Sequence, residues 1–273
     1  MKILIKLARI SYGIMIAGLG VQQIFYQDFR PVILPPWHVS FPGFALFVYL
    51  GSAIFIAAGI AIVFDKKAKE IGLILGAIFL LLFIFCQVPY ELMADPYYKH
   101  LGVWASAQKE LVLSGGGFVV AGSFHTGNYN SQKESPIMNL LEKLIPFGSV
   151  LMCITMISFG IDHLLYAEGI STLVPAWIPG RMFWTYFAAV ALIGSGITII
   201  LRIQLKLSAL LLALMIIIWF FILHIPRAVA DPYSLQGNEV SSVFEAFGFS
   251  GIAYLIAYGY HTKRRAGADL TTF

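Results

Sequence analysis

Six ionisable side chains interrupt otherwise apolar sequence in the second half of the chain: Asp162, His163, Arg181, His224, Arg227 and Glu245. An ionisable group within a bilayer costs at least a few kcal/mol, so such residues pair with one another, face water or serve a function. Asp162 and His163 fall near the end of one apolar run, Arg181 starts the next, His224 and Arg227 end the third, and Glu245 lies near the start of the fourth. All six therefore sit near the same end of four successive helices, and together they predict a polar pocket opening outward. Two structural uses compete with a binding site. Arg227 with Glu245, and Arg181 with Asp162, are placed to form interhelical ion pairs. Glu110 and Glu245 each open an apolar run, where a carboxylate meets free amides and the positive end of the helix dipole. Two histidines without a third ligand motif make a poor metal or haem site, so no metal is expected.

The elements that position these residues follow from composition. The chain has 273 residues, 59% hydrophobic and 12% charged, with a mean hydropathy of +0.83. A soluble domain carries about 25% charged residues, so much of this chain must avoid water. At about 20 apolar residues per crossing, this length holds roughly eight spans and excludes a soluble catalytic domain. The net charge of +4 and pI near 9.0 reflect topology rather than nucleic-acid binding, because basic residues of membrane proteins gather in cytoplasmic loops. Cys86 and Cys153 belong to no CxxC and read as small buried apolar residues.

Apolar runs lie at Ile10–Gln27, Gly43–Phe64, Ile71–Val88, Gln108–Phe124, Pro146–Ala167, Met182–Leu201, Leu207–Leu223 and Ser241–Tyr260. The predicted fold is all-α and polytopic, with eight transmembrane helices. The first run follows Lys2, Lys6 and Arg9 but has no small-residue cleavage site, so it belongs to the mature fold. Thirteen Lys and Arg residues fall on the side holding both termini and five on the other. That asymmetry predicts cytoplasmic termini.

The chain is also duplicated. At an offset of 140, Gly20, Tyr26, Pro35 and Trp37 match Gly160, Tyr166, Pro175 and Trp177. After a three-residue shift, Pro42, Gly43, Tyr49, Gly59 and Pro89 match Pro179, Gly180, Tyr186, Gly196 and Pro226. Further on, Ala94-Asp95-Pro96-Tyr97 matches Ala230-Asp231-Pro232-Tyr233, and Glu110 and Gly116 match Glu245 and Gly251. Two four-helix repeats, residues 1–125 and 145–273, are predicted about a cytoplasmic linker at 126–144. Four spans per repeat is an even number, so the repeats run parallel, as two four-helix bundles related by an axis along the membrane normal. At the positions of the ionisable cluster the first repeat carries Gln22, Gln23, Gln87 and Glu110, which makes the second repeat the better candidate for a site. Gly72 and Gly76, and the Gly115-Gly116-Gly117 run, read as close helix contacts.

Several stretches carry a family resemblance: Phe159-Gly160-Ile161-Asp162-His163-Leu164-Leu165-Tyr166-Ala167, Leu173-Val174-Pro175-Ala176-Trp177-Ile178-Pro179, Phe183-Trp184-Thr185-Tyr186 and His224-Ile225-Pro226-Arg227. Together they resemble the DoxX-like membrane proteins, across the second half and, as a diverged copy, the first. The resemblance implies a tandem of the family's four-helix unit. Some members are quinone-linked subunits of thiosulfate-oxidising complexes, others associate with redox or stress-protection proteins, and no catalytic residues transfer. It implies a redox-associated subunit of a bacterial cytoplasmic membrane, with membrane or periplasmic protein partners and a quinone as the expected ligand. Quinone carbonyls need hydrogen-bond donors that exchange protons, and His163, His224 and Arg227 are of that kind. The alternative is a non-catalytic scaffold of a larger complex. A transporter ranks behind both, because the charges gather at one face rather than at mid-membrane.

Overall fold

The computed structural model describes residues 2–37, 43–124 and 135–258, and every regular element in them is helical. Residues 126–134 of the linker and the basic segment from Lys263 to Arg265 lie outside the described residues. Eight long helices carry the fold: α1 Lys2–Tyr26, α2 Phe44–Val63, α3 Ala68–Met93, α4 Ala105–Gly122, α5 Gly148–Leu165, α6 Arg181–Ile200, α7 Leu205–Ala230 and α8 Asn238–Tyr258. Seven of them, with α5 extended back to Pro136 and α8 to Ser234, are long and apolar enough to cross a membrane. The exception is α4. Fifteen of its eighteen residues are buried, among them Gln108, Glu110 and Ser114. A helix enclosed by other helices needs no apolar face toward lipid, so its average hydropathy falls below that of its neighbours.

The helices follow one another around a closed ring. α1 packs on α2, α3 on α4, α4 on α5, α5 on α6, α7 on α8, and α8 returns to α1, with lighter contact from α2 to α3 and from α6 to α7. α4 and α8 also touch across the middle. The two sequence halves thus share contacts: the first helix of one lies against the last helix of the other. Polar groups tie the halves as well. Ser241 Oγ donates to Gln22 Oε1 at 3.0 Å, and Tyr26 Oη to Pro232 O at 3.0 Å. α1 begins well before Ile10 because Arg9 finds partners at the ring's end: it donates to Ser123 Oγ at 2.7 Å and to Ser123 O at 2.6 Å, with its guanidinium 3.6 Å from the Phe124 ring centre.

Small residues set the closest approaches. A Cβ at Gly72 would stand 2.7 Å from the Gly117 carbonyl oxygen, one at Gly13 2.7 Å from that of Gly59, and one at Gly148 2.8 Å from that of Gly115. Side chains at these crossings would drive backbones apart, which is the role expected of such glycines where lipid offers no hydrophobic driving force.

Local conformation recurs at matched positions. Asp65 and Arg202, Lys67 and Gln204, and Gly43 and Gly180 all have positive φ, each pair separated by 137 residues. Positive φ is uncommon for residues other than glycine. α3 and α7 each contain one π-helical turn, Phe83–Gln87 and Phe220–His224, again 137 residues apart. The cause is a proline two residues beyond each turn. Pro89 and Pro226 lack an N–H and crowd the carbonyl four residues back. The helix widens instead of breaking: Val88 N bonds to Phe83 O and Ile225 N to Phe220 O, five residues back. The inserted residue rotates everything beyond it by about 100° relative to a plain helix.

Candidate functional site

The π turns place Gln87 and His224 at the last position of the widened coil. His224 there lines a cavity of about 620 Å³ enclosed by α4, α5, α6, α7, α8 and the segment before α4. Asp162 and His163 from α5 and Glu245 from α8 line the same cavity. Four of the six sequence-predicted residues therefore converge. Arg181 and Arg227 are not among the lining residues. Arg181 is half-buried at the start of α6, where its carbonyl accepts from Thr185 Oγ1 at 3.0 Å.

The expected ion pairs are exchanged for others. Arg227 clasps Glu239 with two hydrogen bonds, Nε to Oε2 at 2.8 Å and Nη2 to Oε1. Glu245 pairs with Lys109 of α4, Nζ to Oε2 at 2.8 Å, where the carboxylate is 4% exposed and the ammonium 18%. Neither Glu110 nor Glu245 opens its helix, since α4 starts at Ala105 and α8 at Asn238, so both lie beyond the first turn and capping does not explain them. The first-turn acid of α8 is Glu239.

Hydrogen bonding fixes what several groups offer the cavity. His163 Nδ1 lies 2.7 Å from Phe159 O, and a carbonyl only accepts, so Nδ1 carries the proton. In the neutral ring Nε2 is then an acceptor. The amide of Gly102 donates to His100 Nδ1 at 3.2 Å, which in a neutral ring leaves the proton on Nε2. His100 stacks on Tyr166 with ring centres 4.0 Å apart. Asp162 Oδ1 and His224 Nδ1 are buried without hydrogen-bond partners among the described residues. The cavity thus holds donors at Lys109 and His100 and acceptors at Asp162 and His163, against apolar walls that include Met156, Phe159, Leu192 and Phe249.

His100 and Lys109 come from the first half and were not singled out by the sequence. Lys109 had a visible signal: it sits beside Glu110 in an apolar helix, whereas its match in the second half is Phe244. His100 lies in a polar connecting segment, and nothing in its immediate sequence marks it out.

A second hollow adjoins the first. A groove of about 760 Å³ between α6 and α7 is lined by Trp177, Phe187, Val190, Leu211 and Ile218 among others. Trp184, Met215 and Trp219 line both spaces and form the wall between them. The two indoles meet edge to face, centres 6.5 Å apart. Against models of known protein families, curated proteins and solved structures, the chain matches none.

Proposed function

We propose that the protein is an integral membrane subunit of a redox-associated complex, and that its cavity takes the headgroup of a quinone. The observation that carries this reading is the pairing of a polar cavity with an apolar groove through a shared wall of Trp184, Met215 and Trp219. A lipid-soluble ligand needs both. On α6 the groove runs from Trp184 to Thr198, about 21 Å at 1.5 Å per residue, some two-thirds of a hydrocarbon core of about 30 Å. A single long tail fits such a groove. At the other end, Lys109 and His100 would donate to quinone carbonyls, while Asp162 and His163 Nε2 would accept from quinol hydroxyls. Two electrons supplied by a partner protein carrying flavin, haem or iron–sulfur, with two protons, convert the first form to the second.

Titration of the purified protein with decylubiquinone should quench tryptophan fluorescence saturably, because Trp184 and Trp219 border the headgroup cavity. His224→Ala should weaken that binding at least tenfold with the protein still folded. Unchanged binding in this variant would remove His224 from the site, and no saturable quenching in the parent would sink the quinone reading.

The architectural reading that goes with this function is eight spans in two parallel repeats, residues 1–125 and 145–273, with α4 as the buried eighth. The positive-φ residues and π turns at matched positions support it. The basic asymmetry supports cytoplasmic termini, and the family resemblance a bacterial cytoplasmic membrane, so a reporter fused after Lys66 should read cytoplasm and one after Tyr233 the outside. The reverse pattern would overturn the orientation. A scaffold role is favoured by one observation, the Lys109–Glu245 pair that bridges the two halves.

A further inference from the structure

The hydrogen-bonding groups that line the 620 Å³ cavity are unevenly satisfied. Among its lining residues, the side-chain polar atoms that are buried with no partner among the described residues are Asp162 Oδ1 and His224 Nδ1. His163 contributes another acceptor, because its Nδ1 proton is held by Phe159 O at 2.7 Å and Nε2 is left to accept. An ionised carboxylate and this Nε2 accept only, whereas His224 takes either role with its tautomer. Asp162 and His163 are successive residues of α5, about 100° apart around its axis, so they border the cavity at two separate points. The terminal torsion of an aspartate is broad, so the carboxylate turns to present either oxygen to a donor.

The donors of the same cavity are in a different condition. Lys109 Nζ already meets Glu245 Oε2 at 2.8 Å, His100 is exposed, so water reaches its Nε2 proton, and Thr185 Oγ1 gives its proton to Arg181 O at 3.0 Å. None of these donors, nor those of Tyr166, Ser242, Trp184 and Trp219, is both buried and unpartnered among the described residues. A guest whose oxygens are carbonyls offers acceptors to donors that are already served, and leaves Asp162 and His163 with nothing. A guest with two hydroxyl protons supplies what those two residues lack. An unmet buried acceptor costs more than one further bond to a satisfied donor returns.

We infer, resting on the quinone reading of the same site, that the cavity holds the reduced quinol form in preference to the quinone, with Asp162 and His163 accepting its two hydroxyl protons. Reduction in place opens the two C=O π bonds of the quinone. Two electrons come from the partner's flavin, haem or iron–sulfur centre, one proton from water joins each oxygen, and no group leaves. The two new O–H groups are the donors that the cavity lacks. A guest held more tightly in its reduced form is easier to reduce while bound, by linkage. A tenfold preference raises the two-electron potential of the bound couple by about 30 mV. The site is thereby biased toward passing electrons from the partner into the quinone, and its product is the substrate of a quinol-oxidising enzyme in the same membrane.

Anaerobic titration calorimetry of the detergent-purified protein with decylubiquinone and with decylubiquinol tests this. The quinol should bind roughly tenfold more tightly, or better, in the parent protein. Asp162→Asn keeps the shape of the side chain but puts a donor beside the remaining oxygen, and the ratio of the two dissociation constants should fall below about threefold. His163→Phe keeps a ring and removes the Nε2 acceptor; it should narrow the ratio in the same way, and it decides the assignment if Asp162→Asn does not fold. Equal affinities in the parent, or tighter binding of the quinone, would overturn the preference and leave the quinone reading standing. A parent ratio that persists unchanged in both variants would overturn the roles of Asp162 and His163. Binding of neither form would sink the quinone reading itself, and the preference with it.

Discussion

Lys109→Met should cost about 3–5 kcal/mol of stability, because removing one partner of a buried ion pair strands the other charge. Glu245 is 4% exposed and pairs with Lys109 at 2.8 Å, so the stranded group has no ready access to water. The double variant Lys109→Met with Glu245→Met should recover most of that loss, since apolar groups of similar volume replace a buried pair at little net cost. Thermal unfolding of the parent, both single variants and the double variant gives the coupling directly. A small loss in Lys109→Met would mean that the pair is solvated in the membrane. The same four proteins separate function from scaffold. If Lys109 serves a quinone, the stable double variant loses decylubiquinone binding; if the pair only staples the halves, stability returns and binding is unaffected.

Gly117→Val should destabilise by about 3 kcal/mol, the upper end of the usual cost of overpacking. A Cβ at Gly117 already stands 2.7 Å from the Gly76 nitrogen and 3.0 Å from the Gly76 Cα, and these are backbone atoms that no rotamer change can move aside. Gly194→Ala is the matched control, because a Cβ there meets nothing within 4 Å. It should unfold within a degree or two of the parent. Similar losses in both variants would show that the α3–α4 crossing is not what sets the cost, since helix propensity alone favours either replacement over glycine.

The helical class was legible because apolar runs of about 20 residues admit few alternatives. α4 was legible as a helix for the same reason, but its depth in the ring was not: Gln108, Glu110 and Ser114 lower its hydropathy, and only the arrangement of its neighbours shows that they are enclosed. At the site, Asp162, His163, His224 and Glu245 stood out as ionisable groups in apolar surroundings. The direction in which Arg227 points did not, because the π turn just before it shifts the helical phase and directs it to Glu239, nearly two turns from Glu245 along α8. The contributions of His100 and Lys109 depend on the contact between halves, which an internal repeat does not specify: the same duplication is compatible with separate bundles and with a shared ring.

The contact between α1 and α8 has a consequence for biosynthesis. A membrane protein is made from its N-terminus, so of the eight long helices α1 enters the bilayer first and α8 last. Until α8 arrives, Gln22 has no Ser241 to meet, and the face of α1 at Gly18, which ends beneath the Phe244 ring, is open to lipid or to any other helix nearby. The nascent chain therefore carries an unmatched polar seam through the insertion of six intervening long helices. Completion of the last one closes that seam, so a polypeptide stopped before residue 238 would present insertion and quality-control machinery with a persistent polar defect in its first span.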